Sequence, residues 1–259
     1  MNNTSLGDRM KEYEGITRHQ LMRRTPVIIR IDGKGFHSFT KGFHKPFDEI
    51  LTNAMHQTML ELCESVEGCV IGYTQSDEIS LVLCDDKKLD TEPWFGNRLL
   101  KICSVSASLA TSIFNKHFRN AAEGTTGVYQ RRIDKANFDS RAFNLPKEEV
   151  NNYMIWRQKD AIRNSVQMTS HAYFSHKKLI GVPCDQALEL LLSEKQVDWN
   201  SFPLHLQRGV CCIKKPVVIN AGTDQETLRM KWVLDKEIPI FTENRDYVEN
   251  CIYFREEQL

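Results

Sequence analysis

With 259 residues, 41% of them hydrophobic, the chain is long enough to bury a full core and reads as a soluble globular protein. Lys plus Arg and Asp plus Glu both number 34, which excludes a global positive field and leaves any nucleic-acid contact to a local patch. Eight scattered cysteines without a C-x-x-C pair argue against zinc and disulfides, and no apolar run approaches the roughly 18 residues that span a bilayer, so a reducing, cytoplasmic compartment is expected.

Residues 1–24 are polar, and the basic cluster of Arg18, His19, Arg23 and Arg24 suits a helix bracing the first strand better than a phosphate-facing edge. From about Pro26 to Ile31 the β-branched run has the character of a strand buried on both faces. It leads into Asp32-Gly33-Lys34-Gly35-Phe36-His37, where a carboxylate sits at a strand end. The two glycines let the backbone turn sharply and approach a ligand, with Lys34 and His37 adding polar reach. A loop through Phe39 and Phe43 reaches Lys45-Pro46-Phe47-Asp48, and Pro46 fits a helix start. Apolar residues then recur at spacings of three and four to Cys63, the pattern of an amphipathic helix.

Cys69 to Tyr73 and Ile79 to Cys84 predict a β-hairpin whose turn carries Ser76, Asp77 and Glu78. A second helix is expected from Trp94 to Phe118, with Arg98 and Lys101 on one face; that spacing suits a solvated surface or a grip on polyphosphate. Phe138 to Leu145 reads as a strand closing the sheet. The order βαββαβ is ferredoxin-like, an α+β plan with helices on one face of an antiparallel sheet. Beyond it come helices at Glu148 to Phe174 and Gln186 to Ser193, a loop or helix at Trp199 to Gln207, and a hairpin of Gly209 to Ile213 with Pro216 to Ile219, turning at Lys214-Lys215-Pro216. No Gly/Ser linker interrupts the chain, so residues 147–259 are expected to pack as an extension on a catalytic unit of residues 1–146.

If the hairpin pairs with the first strand, Asp32 and Asp77 meet at one sheet edge. Two such carboxylates repel unless a divalent cation lies between them, and magnesium favours hard oxygen ligands of this kind. Singly, each motif is more often a turn; their joint placement, with Lys34, His37, Lys45 and Ser76 alongside, favours phosphoryl-transfer chemistry.

Four segments carry a more specific signal: Arg30 to His37, His44 to Asp48, Tyr73 to Glu78, and Trp156-Arg157-Gln158-Lys159-Asp160. In order and spacing they resemble the tRNA(His) guanylyltransferase family, with most similarity to its guanylyltransferase-like branch, over about residues 20–175. The resemblance implies a palm-type catalytic domain that adds nucleotides in the 3′-to-5′ direction to an activated RNA 5′ end. It implies two magnesium ions at Asp32 and Asp77, the Gly33 carbonyl as a backbone ligand, and support from Glu78. Lys45 and Ser76, with Asp48 nearby, correspond to positions that hold a nucleoside triphosphate such as GTP or ATP. Gly33, Lys34 and Gly35 form the loop beside it, and Phe36 and His37 lie next to base and sugar. Arg98 and Lys101 would grip a second triphosphate, and Arg30 would underlie the site. Arg131, Arg132, Arg163, Lys177 and Lys178 are the candidates for RNA phosphates, and the family's habit suggests a homotetramer. One segment departs from the pattern. Where guanosine-adding members carry a His-Ile-Asn-Asn-Leu-Tyr-Asn run, this chain has Ile162-Arg163-Asn164-Ser165-Val166-Gln167-Met168, and Ile162 cannot hydrogen-bond an anticodon base. The expectation is therefore templated repair of 5′-truncated tRNA rather than anticodon-selected guanosine addition.

Overall fold

Val27, Ile28, Ile29 and Ile31 build the central strand β1 (Val27–Gly33), and all four side chains are buried. The structure, a computed structural model, describes residues 5–219 and 227–253. Around β1 stand α1 (Leu6–Gly15), α2 (Phe36–Phe39), α3 (Glu49–Ser65), β2 (Cys69–Gln75), β3 (Glu78–Leu83), α4 (Leu99–Ala121) and β4 (Phe138–Asn144). The remainder forms α5 (Glu149–Tyr173), α6 (His176–Leu179), α7 (Cys184–Lys195), α8 (Leu204–Arg208), β5 (Val210–Ile219), β6 (Thr227–Asp235) and α9 (Asp246–Tyr253). One sheet runs β4-β1-β3-β2-β5-β6, with every neighbouring pair antiparallel.

Strand alternation divides the core. Ile29 and Ile31 join Met55, Met59, Leu62, Phe114 and Phe118 beneath α3 and α4, whereas Ile28 joins Val82, Tyr153 and Met154 beneath α5. The ferredoxin-like half thus keeps its two helices on one face, and α5 with α9 covers the other. A third cluster of Val166, Ala187 and Trp199 seats α7 against α5. At Gly72 a Cβ would lie 2.5 Å from the Cys63 sulfur, so the missing side chain lets α3 approach β2.

The structure adds α2, α6, β6 and α9, none of them expected from the sequence, and differs from two expected elements. The second helix starts at Leu99 rather than Trp94, because Phe95, Gly96 and Asn97 all take positive φ and break the helical path. Lys214-Lys215-Pro216 is not a turn: β5 runs unbroken through it and pairs with β6, in the register Lys215 to Lys231 and Pro216 to Met230. Past Cys212 the strand has no β2 neighbour, so a proline there breaks no interior ladder. The connection at 220–226 lies outside the described residues.

Candidate active site

The register of β1 fixes the site. Asp32 faces Glu78 across β3 and Asp139 across β4, and Ile28, Arg30 and Asp32 share the sheet face that α5 covers. The hairpin turn brings Asp77 alongside: its carbonyl accepts a 3.1 Å hydrogen bond from the Gly33 N–H. Ser76, at φ 50°, donates to the Asp77 carboxylate at 3.1 Å. Burial first, and then the charge of Asp32, pushes the Asp77 carboxyl above its ordinary value. Two acids 45 positions apart in sequence therefore repel one another in the fold.

This repulsion bears on whether a divalent cation fits. Among the described residues, no group of three or more His, Cys, Asp or Glu side chains is placed to hold a metal. Asp32 and Asp77 supply hard anionic oxygens, and Gly33 adjoins both, following Asp32 in the chain and donating its N–H to the Asp77 carbonyl. That donor set suits magnesium, which keeps several ligand positions for water and phosphate oxygens.

Beside Asp77 opens a cleft of about 500 Å³. Its walls include the anticipated Phe36, His37, Lys45, Asp48 and Ser76, together with Asn164, Gln167, Met168 and His171 from α5. The latter four were missed in the sequence. Their spacing of three, one and three was the available signal, since it marks one side of a helix. A smaller pocket of about 80 Å³ shares Asp48, Ser76, Asn164 and Met168 with this cleft and contains His56 and His205. Burial, then the neighbouring His205 and Lys236, lowers the His56 pKa to about 3. Burial, then Lys236, lowers the His205 pKa as well, and the Nδ1 of His56 has no hydrogen-bond partner among the described residues.

Several anticipated ligands turn out to be engaged elsewhere. Glu78 is buried in a bidentate pair with Arg157, at 2.7 and 2.8 Å, and Arg157 also holds Asp160 at 2.7 Å. Burial pushes the Glu78 carboxyl up against the pull of Arg157 and Arg30. Glu78 braces α5 on the sheet, both of its oxygens engaged by Arg157. Asp48 caps α3 through Leu51 N–H at 2.9 Å and accepts from His44 N–H at 3.0 Å and Tyr129 Oη at 2.5 Å. It shapes the loop that carries Lys45. Phe36 packs into the core against Phe39, Phe114 and Phe138, with its ring where a Gly33 Cβ would lie. Gly35, at φ 67°, starts α2. Lys34 and His37 are exposed, and Lys34 N–H donates to Asn137 at 2.8 Å.

Arg98 and Lys101 do not reach this cleft. They lie at the start of α4, next to the Val27 end of β1 and opposite the Asp32 end; Arg98 binds the Phe95 carbonyl and Lys101 lies over the Phe95 ring. They form a separate pair of cations at the end of the sheet away from the acids. Arg132 donates to Ser38 of α2 at 2.9 Å, beside His37, and Arg131 adjoins it. Arg163 pairs with Asp160, and Lys178 pairs with Glu194. Lys177 is exposed on α6. Among the described residues no helix is long and apolar enough to cross a membrane.

Comparison with known proteins agrees with this geometry. The family model described as Thg1, tRNAHis guanylyltransferase, matches residues 7–146. The tRNA(His) guanylyltransferase of Schizosaccharomyces pombe is 30% identical over 225 residues, 80% of this chain and 80% of its own. The solved structure of a bacterial tRNA(His) guanylyltransferase (Thg1)-like protein in complex with ATP aligns over 97% of this chain and 100% of its own, with 42% identity and a TM-score of 0.83. A GTP complex of such a bacterial protein aligns over the same shares with 40% identity and a TM-score of 0.80. The ferredoxin-like sheet, its edge acids and these matches define a nucleotidyltransferase. The chain belongs to the tRNA(His) guanylyltransferase family.

Proposed function

We propose that the protein extends the 5′ end of truncated tRNA in the 3′-to-5′ direction, each nucleotide being chosen by pairing with the opposite strand. The observation that carries this reading is the closeness of Asp32 to Asp77, which lines a cleft together with Lys45 and Ser76. The relatives solved with ATP and GTP support a nucleoside triphosphate as the occupant of that cleft. Lys45 and Ser76 bind its phosphates, and the stripe of Asn164 and Gln167 bounds the nucleotide on the α5 side. Asp32 and Asp77, with the Gly33 carbonyl, would hold magnesium, which would supply charge neutralisation at the reacting phosphate and activation of the attacking hydroxyl. In the transfer, the incoming 3′-hydroxyl forms a bond to the 5′ phosphorus of the RNA, and AMP or pyrophosphate leaves, depending on how that end was activated.

Template pairing requires only a shape-reading surface and phosphate contacts from the protein. Ile162, where guanosine-adding relatives carry histidine, packs against the cluster of Val166, Ala187 and Trp199 and presents no hydrogen-bonding group. A homotetramer of the family's kind would let one subunit hold the activated end and another the tRNA body.

The test supplies 5′-truncated tRNA bearing a 5′ monophosphate or triphosphate, with magnesium, ATP and single nucleotides. Growth that follows the opposite strand is expected. Addition of one untemplated guanosine to tRNA(His) would instead make the protein an ordinary guanylyltransferase. Product from nucleotide alone would point to a cyclase, and RNA binding without turnover to a binding module.

A further inference from the structure

Trp156 stands in water where the other tryptophans do not. It is 52% exposed, whereas Trp94 and Trp199 are buried and Trp232 packs against the core. A single exposed aromatic needs no explanation on its own. Its setting does. The guanidinium of Arg157 lies 4.3 Å from the ring centroid and that of Arg30 5.9 Å, and Tyr153 meets the ring edge-on at 5.8 Å. Arg157 is locked by Glu78 and Asp160, so the indole rests on a fixed neighbour. Arg30 is different: its Nε is buried without a hydrogen-bond partner among the described residues.

Position relative to the acids gives the setting its meaning. Arg30 and Asp32 are two residues apart on one strand, hence on the same sheet face and about 7 Å apart along β1. Arg141 pairs directly with Arg30 in β4, is half exposed, and among the described residues forms an ion pair with Asp139 at 3.5 Å. On α5, positions 156, 160, 163, 167 and 171 fall on one stripe, and Gln167 and His171 already line the cleft. Along this stripe Trp156 is about 16 Å from Gln167. The acid within it, Asp160, is neutralised by Arg157 and Arg163. Asp32 thus lies close to Asp77 of the cleft and two residues along β1 from Arg30, whose guanidinium is near the indole.

We propose that Trp156 is the stacking platform for a nucleobase at the 5′ end of the RNA acceptor, with Arg30 and Arg141 meeting its phosphate. This rests on the functional reading above and adds the place where the RNA end is seated. An aromatic face accepts every base, as templated addition requires, and the flanking cations match the backbone of a nucleic-acid strand. The base of a free nucleoside triphosphate has the same chemistry and is the competing occupant.

The test uses the full chain with Trp156→Ala, Trp156→Phe and Trp156→Leu, the last keeping apolar bulk without a π face. Binding of a 5′-truncated tRNA, the KM for that RNA, the KM for the nucleotide and the thermal midpoint are measured for each. The expected result is roughly ten- to hundredfold weaker RNA binding for the alanine and leucine variants. Trp156→Phe should stay within a few-fold of the parent, with the nucleotide KM and thermal midpoint little changed throughout. RNA quenching of the parent's tryptophan emission should be largely lost in Trp156→Phe. Equal RNA affinity in all variants overturns the proposal. So does a rise in nucleotide KM at unchanged RNA affinity, which assigns the ring to the free nucleotide. RNA binding that depends on Trp156 in a parent with no templated growth keeps this site and removes the polymerisation reading; a parent that binds no RNA removes both.

Discussion

At the scale of single residues, Asp77 ties stability to function. Its folded carboxyl titrates above its unfolded value of 3.8, so the related stability is complete below that value and is lost as pH rises through the folded pKa. Ionised Asp77 therefore weakens the metal-free fold at neutral pH. Asp77→Asn should raise the metal-free thermal midpoint at pH 7 and flatten its dependence on pH between 4 and 7. The same change should lower turnover by at least about a hundredfold, since even residues behind metal ligands are worth ten- to a hundredfold. A lower midpoint would remove the repulsion argument. Arg157→Ala should act through stability instead, costing about 3–5 kcal/mol in urea unfolding because Glu78 would be left charged and buried. Restoring part of that loss with Glu78→Gln in the same chain would identify the unpaired charge as the cause. Residue roles were only half legible in the sequence. The Asp-Gly-Lys-Gly run marks a backbone turn through its own composition, but the inward turn of Phe36 depends on Phe114 and the engagement of Asp48 on Tyr129, partners far away in the chain.

At the scale of elements, the spacing between α3 and β2 depends on one absent side chain. Gly72→Ala would place its Cβ 2.5 Å from the Cys63 sulfur and 3.1 Å from a Met59 carbon, both in the packed core. Overpacking of this kind costs about 1–3 kcal/mol. A double-mutant cycle with Cys63→Ala should recover much of it, whereas strict additivity would show that the clash is relieved some other way. Elements with strong local patterns were readable from sequence: β1 from its β-branched run, α3 from its apolar spacing, and the hairpin from its polar turn. The strand β6 was not recognised, although Leu228, Met230, Trp232 and Leu234 alternate with Arg229 and Lys231. Lys214-Lys215-Pro216 drew attention as a turn, and only the missing β2 neighbour makes a proline acceptable inside that strand.

For the whole molecule, balanced charge limits how RNA is held. With Lys plus Arg equal to Asp plus Glu, binding depends on a few local cations, and Arg163 and Lys178 already pair with acids. A plot of log affinity against log salt for a truncated tRNA should therefore fall no more steeply than a slope of about −4.5, the value for roughly five neutralised phosphates at about −0.9 each. A markedly steeper slope would reveal a basic surface other than the one described. The outermost strands add a constraint on assembly. Both β4 and β6 bear charges at outward positions, Asp139 and Arg141 on one and Arg229 and Lys231 on the other, which disfavours annealing of the sheet to a neighbouring copy. Contacts between copies are then expected to run through helices and loops, leaving each subunit's sheet to end where its own chain ends it.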